Sequence, residues 1–134
     1  WKPAGEQAQG LVVLHGFGVG DDCAAARTLF DQYINLRIFP DRAGKMNLSV
    51  EAIEQPKVAV VPQFTLYADC SRGNRPSFVS AMPPTQARKL WREVQAMLRE
   101  RFAFVEFSFG FFGEDMQVQL CNSGPVTIVL DSEV

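Results

Sequence analysis

Few residues in this 134-residue chain could attack a substrate directly. His15 is the single histidine, and both a structural and a catalytic role are open for it. Cys70 and Cys121 could act as nucleophiles, but no second histidine exists to activate either, and both could equally be small packed side chains. Thr65 carries a hydroxyl that is a weak nucleophile without a neighbouring base. The sequence therefore supplies little side-chain machinery for covalent catalysis.

Two segments with unusual backbone offer a different kind of chemistry. Pro62-Gln63-Phe64 follows directly on an apolar strand pattern, and Gly124-Pro125 lies in a polar turn. The sequence contains no serine-hydrolase elbow, phosphate-binding loop or zinc-binding helix motif. Irregular backbone can direct amide N–H groups at a developing oxyanion without any titratable side chain. The same segments could equally be an ordinary bulge and an ordinary turn.

Arginines provide the candidate contacts for a phosphate-rich ligand. The net charge is −2, so any such contact must be local. Arg88, Arg92 and Arg99 fall on one face of a predicted helix, where they could bind phosphates or form a solvated surface. Arg72 and Arg75, in a polar loop, are competing candidates.

The three cysteines are widely spaced, which argues against a disulfide framework and against a zinc site. The sequence therefore predicts a reduced, cytoplasmic setting with no metal and no cofactor. No apolar run approaches the ~20 residues that span a bilayer, so no membrane partner is expected. The composition, 47% hydrophobic and 21% charged, is typical of one globular domain, here residues 10–134, after a loose segment at 1–9.

The first part of the chain predicts a strand, a helix and a turn. Residues 11–14 form an apolar run that ends in glycines, which indicates a buried strand. Asp21 or Asp22 can cap a helix that runs to about Leu36. Residues 40–44 form a turn cluster.

The middle of the chain predicts a second strand and a second helix. Residues 58–61 are apolar and indicate a central strand, whose pairing should break on one side at Pro62 because proline has no N–H. A polar loop covers residues 69–77. Pro83-Pro84 then opens a helix. Its apolar stripe contains Ala87, Leu90, Trp91, Val94 and Leu98.

The last part of the chain predicts three strands. Alternating patterns cover residues 103–109 and 116–120, and a final strand covers 126–130. Several of the eleven phenylalanines lie between residues 102 and 112, and such an aromatic block should be buried in a core or in a subunit interface. Together the patterns predict an α+β fold with two main helices and mainly antiparallel or mixed sheets.

Five separated motifs, in the same order, resemble the family of D-aminoacyl-tRNA deacylases. The resemblance extends from about Gly10 to the C-terminus, and the five motifs together are specific although each alone is weak. They are residues 37–50 (RIFPDRAGKMNLSV), 62–69 (PQFTLYAD), 72–78 (RGNRPSF), 112–116 (FGEDM) and 122–127 (NSGPVT).

The resemblance implies a homodimer in which a glycine–proline step enters the partner's pocket. Gly124 and Pro125 match that step, flanked by Asn122 and Thr127. In the family this peptide is cis, and its main-chain carbonyls bind the substrate amino group. Its position leaves no room for an L side chain, while a D residue or glycine can enter.

The resemblance also implies a catalytic role for Gln63, Phe64 and Thr65. Their backbone amides would form an oxyanion hole, and the terminal 2′-hydroxyl of the tRNA would assist the attack. Phe112 and Met116 would lie near the terminal adenosine. The five candidate arginines then become candidate tRNA contacts.

Two positions depart from the family pattern. Pro62 stands where the family usually has serine, and an animal relative that removes L-alanine from tRNA also has Pro-Gln here, with a trans Gly-Pro step. The family's first strand carries an arginine that fixes the partner's Gly-Pro loop, and residues 1–10 contain no match to it.

The sequence is therefore compatible with three functions. The leading hypothesis is hydrolysis of D-aminoacyl-tRNA and of glycine mischarged on tRNA. The second is editing of a small L-aminoacyl-tRNA such as L-alanyl-tRNA. The third is a catalytically silent relative that binds nucleic acid.

Overall fold

The computed structural model describes residues 9–133. The loose segment predicted at residues 1–9 lies outside the described residues, apart from Gln9. The helices and strands are, in chain order, β1 (Leu11–His15), α1 (Cys23–Asn35), β2 (Phe39–Pro40), β3 (Met46–Leu48), β4 (Lys57–Pro62), α2 (Pro84–Arg101) and β5 (Glu106–Phe109). Two 3-10 turns, Val50–Ala52 and Phe64–Tyr67, lie on either side of β4.

The main sheet has three strands in the order β1-β4-β5, and all of them are parallel. Val13 is paired with Val60 on one side of β4, and Ala59 with Ser108 on the other. A second sheet joins β2 and β3 as an antiparallel pair around the turn at residues 41–44. The prediction of a chain that mixes strands with two main helices is confirmed.

The prediction of mainly antiparallel sheets is wrong for the three-stranded sheet. The connection from β1 to β4 contains α1, and the connection from β4 to β5 contains α2. A long crossover with a helix returns the chain in the same direction, whereas antiparallel neighbours are joined by short turns. The strand–helix–strand order in the sequence therefore indicates parallel pairing.

Both helices begin where the sequence predicts. The Asp22 carboxylate accepts a hydrogen bond from the Ala25 N–H at 2.9 Å and caps α1. Helix α2 starts at Pro84, in the first turn, where the missing proline N–H is not needed. Within residues 9–133, no helix combines the length and the apolar character that crossing a bilayer requires.

The core lies between the two helices and one face of the main sheet. Val13 and His15 of β1 point into it, whereas Val12 and Leu14 lie on the opposite, partly exposed face. The predicted stripe of α2 is buried along its whole length, at Ala87, Leu90, Trp91, Val94 and Leu98. The largest fully buried side chains are Phe30, Ile34, Leu98, Val50, Val58, Val60 and Val94.

The chain after β5 differs from the prediction. Residues 116–120 and 126–130 contain no regular strand, and β5 begins at Glu106 rather than at residue 103. An extended segment becomes a strand only when a neighbour accepts its backbone hydrogen bonds, and the described residues provide no such neighbour for these segments. Several of their apolar side chains are consequently exposed, namely Val118, Leu120, Ile128 and Val129.

The aromatic block at residues 102–112 is only partly buried. Phe102 is buried in the core, whereas Phe104 and Phe111 are each more than half exposed. Phe107 and Phe109 stack with ring centroids 5.6 Å apart and pack against the core from β5. Within this chain Phe104 and Phe111 are therefore not part of the core, and their burial in a subunit interface stays a prediction.

Candidate active site at the carboxyl ends of the strands

The segment after β4 is hydrogen-bonded to β1 but not paired with β5. The Gln63 N–H donates to the His15 carbonyl at 2.9 Å, so pairing with β1 continues past Pro62. On the β5 side the ladder ends at Val60 and Phe109. Since alternate amides of a strand point to opposite sides, the missing N–H of Pro62 falls on the β5 side. The predicted break in pairing at Pro62 is confirmed.

The chain then forms a tight turn at residues 63–68, here called the Gln63 turn, in which two backbone N–H groups have no hydrogen-bond acceptor among the described residues. The Gln63 carbonyl accepts from the Leu66 N–H at 3.3 Å, and the Thr65 carbonyl accepts from the Ala68 N–H at 3.1 Å. Within residues 9–133, neither the Phe64 nor the Thr65 N–H donates a hydrogen bond. The carboxyl end of a parallel strand thus presents adjacent backbone donors, at the edge where open α/β sheets bind ligands.

The side chain of Thr65 has a partner but no base. The Gln63 side-chain amide donates to the Thr65 hydroxyl. No histidine, carboxylate or lysine in the described residues makes a hydrogen bond to that hydroxyl. The geometry therefore favours the backbone of this turn, rather than the threonine hydroxyl, as its chemically useful part.

The Tyr67 side chain of the turn packs against Gly16 and Gly18, which follow β1. A Cβ atom on Gly18 would lie 2.6 Å from the Tyr67 hydroxyl oxygen, and one on Gly16 would lie 3.0 Å from the Gln63 carbonyl oxygen. Burial raises the pKa of Tyr67, and the charge of Asp21 raises it further. The sequence pattern alone does not identify Tyr67. The available signal is the pair Gly16 and Gly18, because glycines two positions apart leave space for another side chain on one side of an extended chain.

His15 is enclosed and neutral. Its ring is 3% exposed and lies among aromatic rings, with the Phe17 centroid 5.0 Å away and the Phe30 centroid 5.1 Å away. The Tyr33 hydroxyl lies 3.3 Å from its Nδ1. Burial lowers the pKa of His15 to about 4. These contacts favour the structural role, in which the His15 carbonyl holds Gln63 while the ring fills the core.

Met116 lies near Pro62, the residue that precedes the turn. A Cβ atom on Gly110 would lie 3.1 Å from both the Met116 sulfur and the Pro62 Cδ, so the two side chains flank the same glycine. The Phe111 N–H points to the Met116 sulfur at 3.3 Å. Phe112 is half-buried next to this segment. The structure thus brings Met116 close to Pro62, 54 positions earlier in the chain.

The Gly124-Pro125 peptide is cis, as the resemblance implies, and lies in a loop closed on itself. The Asn122 amide donates to the Thr127 hydroxyl at 2.9 Å, and the Val126 N–H donates to the Asn122 side chain at 3.1 Å. The loop is exposed, and within residues 9–133 no hydrogen bond joins it to the Gln63 turn. Within one described chain, no direct hydrogen bond therefore connects these two predicted parts of the site.

The candidate arginines lie on two different surfaces. Arg88, Arg92 and Arg99 line a groove of about 560 Å³ between α2 and the segment that contains β5. Arg72 and Arg75 are exposed in the loop closed by two hydrogen bonds between Asp69 and Ser77, of 2.8 and 2.9 Å.

Comparison with known proteins gives a consistent result. The family model described as D-Tyr-tRNA(Tyr) deacylase matches residues 2–131. A protein named D-aminoacyl-tRNA deacylase from Anaeromyxobacter dehalogenans is 50% identical over 128 residues, which cover 96% of this chain and 84% of that protein. The protein of that name from Deinococcus radiodurans is 48% identical over 127 residues, 95% of this chain and 86% of that protein.

A solved structure is also similar. The c-Myc DNA Unwinding Element Binding Protein matches with a TM-score of 0.73 and 34% sequence identity, over 87% of this chain and 78% of that one. The five sequence motifs, the free amides after β4 and the family match thus agree. The chain belongs to the D-Tyr-tRNA(Tyr) deacylase family.

Proposed function

We propose that this protein hydrolyses the ester bond between a D-amino acid and tRNA. The name shared by its relatives supports this activity. One observation in the structure carries the proposal. The backbone N–H groups of Phe64 and Thr65, at the carboxyl end of a central strand, donate no hydrogen bond within residues 9–133. We infer that the protein acts in the cytoplasm, where its substrate would be found.

In this mechanism water attacks the ester carbonyl, assisted by the 2′-hydroxyl of the terminal ribose. The negative charge that develops on the carbonyl oxygen is stabilised by the Phe64 and Thr65 N–H groups. The bond from the carbonyl carbon to the ribose 3′-oxygen then breaks, and that oxygen takes the proton that the attacking water loses, passed on by the 2′-hydroxyl. The products are the free amino acid and tRNA with a 3′-hydroxyl. No side chain of the protein needs to change its protonation state.

We also propose that two copies of the chain share each site. The loop of one copy would enter the pocket of the other, with the carbonyls near Gly124 and Pro125 binding the substrate amino group. Its closure by Asn122 and Thr127 supports a fixed loop, and its lack of a hydrogen bond to its own Gln63 turn supports an intermolecular role. In that position the loop would exclude L side chains and admit D residues and glycine.

Phe112 and Met116 are proposed to contact the terminal adenosine. The support is the position of the Met116 sulfur and the Pro62 ring, which both lie against Gly110, since Pro62 precedes the turn that contains the two free amides. A polarizable sulfur and an aromatic ring are both suited to the face of a base.

The oxyanion role is tested by a pair of substitutions at one position. Phe64→Pro removes one amide donor and suits the local backbone, since Phe64 is the first residue of its 3-10 turn and Gln63 has an extended φ of −141°. Phe64→Ala removes the ring but keeps the amide. We expect Phe64→Pro to lower kcat by about 10²–10³ relative to Phe64→Ala, the cost of one lost donor. Equal kcat values for the two variants would refute the role.

The choice of amino acid is tested with matched substrates. Wild-type protein should release a D-amino acid from tRNA and leave the corresponding L form intact. Pro62, which the L-alanine-removing relative shares at this position, makes L-alanyl-tRNA the informative competitor. Faster hydrolysis of L-alanyl-tRNA than of D-alanyl-tRNA would replace the leading proposal by the second one.

A second candidate function is nucleic-acid binding without catalysis. The name of the similar solved structure, a DNA unwinding element binding protein, is the observation that favours it. It predicts no release of amino acid from any aminoacyl-tRNA, together with retained binding of the nucleic acid. Turnover that Phe64→Pro abolishes would rule this candidate out.

A further inference from the structure

The groove between α2 and β5 combines positive charge with aromatic rings. We call it the α2–β5 groove. It has a volume of about 560 Å³. Its walls consist of Arg88, Trp91, Arg92, Gln95 and Arg99 from α2, and Phe107, Ser108, Phe109, Gly110, Phe111, Phe112 and Glu114 from β5 and the segment after it.

The three arginines of the groove have no carboxylate partner among residues 9–133. The ion pairs in this part of the chain are Lys57 with Glu106 and Arg101 with Asp31. Glu114 also lines the groove, but it forms none of these pairs. The groove lining therefore has three positive side chains and one negative side chain, an excess of positive charge in a protein whose net charge is −2.

Aromatic rings hold two of the arginines in place. The Arg88 guanidinium lies 5.1 Å from the centroid of Phe112, and the Arg99 guanidinium lies 4.8 Å from that of Phe109. Arg88 also donates to the Phe112 carbonyl at 3.4 Å. These contacts fix the positions of the two guanidinium groups against the wall of the groove. At about 1.5 Å of rise per residue, the distance along the helix from Arg88 to Arg99 is roughly 16 Å.

One end of the groove leads to the candidate active site. Gly110 and Phe112 belong to its wall, and Gly110 is flanked by Met116 and by Pro62, the residue that precedes the turn with the free amides. At this end Phe111 presents a ring that is 54% exposed. A flexible polyanion with bases matches both features, because its phosphates would lie at the guanidiniums and a base could stack on the exposed ring.

We propose that the α2–β5 groove binds the unpaired 3′ strand of the tRNA, the nucleotides that precede the terminal adenosine. This rests on the proposed function, which places that adenosine at Phe112 and Met116. The strand leaves the site at Gly110 and runs along α2, where Arg92 and Arg99 contact its phosphates and Phe111 stacks on a base. Double-stranded RNA is excluded as the occupant of the groove because stacking on Phe111 requires unpaired bases.

The test measures binding of tRNA as a function of salt concentration. Arg92→Glu and Arg99→Glu should each weaken binding and reduce the slope of log K against log salt by about 0.7 or more, the value for one phosphate of a single strand. Lys89→Glu is the control with the same charge change, because Lys89 lies on the same helix but lines a different surface, near Asp21 and Asp22. Equal slopes for Arg92→Glu and Lys89→Glu would overturn the proposal.

A shortened ligand locates the contact. With tRNA that lacks its unpaired 3′ nucleotides, wild-type protein and Arg92→Glu should bind with the same affinity. Phe111→Ala should weaken binding of intact tRNA about fivefold or more, by loss of stacking, without changing the salt slope. A persistent difference between wild type and Arg92→Glu on shortened tRNA, or a reduced slope only for Arg72→Glu and Arg75→Glu, would place the contact elsewhere and refute the groove.

A minimal substrate separates this proposal from the proposed function. D-aminoacyl-adenosine lacks the preceding nucleotides, so Arg92→Glu should hydrolyse it at the wild-type rate while losing activity on D-aminoacyl-tRNA. Absence of hydrolysis by wild-type protein, with groove-dependent binding of tRNA retained, would refute the proposed function alone. Equal loss of activity on both substrates would refute the role of the groove in strand binding.

Discussion

At the scale of single residues, the Gln63 turn is distinctive because its donors belong to the backbone. A backbone amide is present whatever the side chain, so only its orientation and its lack of an internal partner distinguish Phe64 and Thr65 from other residues. Such a site does not depend on a side-chain pKa. It depends on the neighbours that fix the turn, which are the His15 carbonyl, the Tyr67 ring and the two glycines that accommodate it.

A substitution at Thr65 tests whether its backbone N–H or its side-chain hydroxyl takes part in hydrolysis. Thr65→Val keeps the amide and removes the hydroxyl, which only accepts a hydrogen bond from the Gln63 side chain in the described residues. We expect kcat on D-aminoacyl-tRNA to fall less than about tenfold, whereas loss of a catalytic nucleophile costs on the order of 10⁶. Single-turnover hydrolysis measures this, and a loss above 10³ would make the hydroxyl the nucleophile.

His15 should make the fold less stable in mild acid. Burial lowers its pKa from 6.5 to about 4, so between these values the unfolded chain binds a proton that the folded chain does not. The free energy of unfolding should therefore fall as pH decreases from about 6.5 to about 4, by up to about 3 kcal/mol. Urea unfolding at several pH values measures it.

The control for this prediction is His15→Gln, which stays neutral over the range and can still accept a hydrogen bond from Tyr33. The stability of the variant should decrease less than that of the wild type between pH 6.5 and 4. Parallel curves for the two proteins would show that the His15 ring does not titrate with a lowered pKa.

At the scale of elements, the site depends on the packing of the segment after β1 against the turn after β4. Gly18 allows this contact, because its Cβ would lie 2.6 Å from the Tyr67 hydroxyl oxygen and 2.8 Å from two ring carbons. Gly18→Ala should therefore cost about 1–3 kcal/mol of stability, as overpacking does, and should lower kcat by moving the turn.

A double-mutant cycle identifies the contact responsible. With Tyr67→Ala in the background, Gly18→Ala should cost less, because the ring that it would strike is gone. Urea unfolding of the four proteins gives the coupling free energy. Additive costs would mean that the glycine is needed for a reason other than the Tyr67 ring.

At the scale of the whole molecule, no hydrogen bond within residues 9–133 joins the turn proposed to be catalytic to the loop proposed to be selective. If two copies share each site, two inactive variants should complement each other. Phe64→Pro disables the pocket, and Gly124→Val disables the loop, because the φ of +123° at Gly124 suits glycine alone. Random re-pairing of equal amounts should restore about a quarter of the sites, since half the dimers are mixed and each has one intact site.

The readout of the mixing experiment is hydrolysis of D-aminoacyl-tRNA after the subunits exchange. Each variant alone should remain at its background rate at the same total concentration. Recovery of activity supports a site built from two chains. No recovery after mixed dimers have been demonstrated by mass would mean that turn and loop act within one chain.

The sequence by itself determined the local features. Hydrophobic periodicity and capping located α1, α2, β1 and β4, because these signals act over a few residues and do not need a distant partner. The proline without an N–H predicted where the β4–β5 ladder ends. The motifs around Gln63 and Gly124 identified the family, which the comparisons confirm.

Only the tertiary structure decided how these segments meet. The alternating patterns at residues 116–120 and 126–130 predicted strands, but a strand requires a partner, and its presence is not written in the segment itself. The parallel order of the main sheet followed from the helical crossovers. The Tyr67 contact depends on the approach of two glycines that are distant in sequence. The α2–β5 groove results from the packing of a helix beside an edge strand. The physical reason is the same in each case, since contacts between segments far apart in sequence depend on the folded geometry of both.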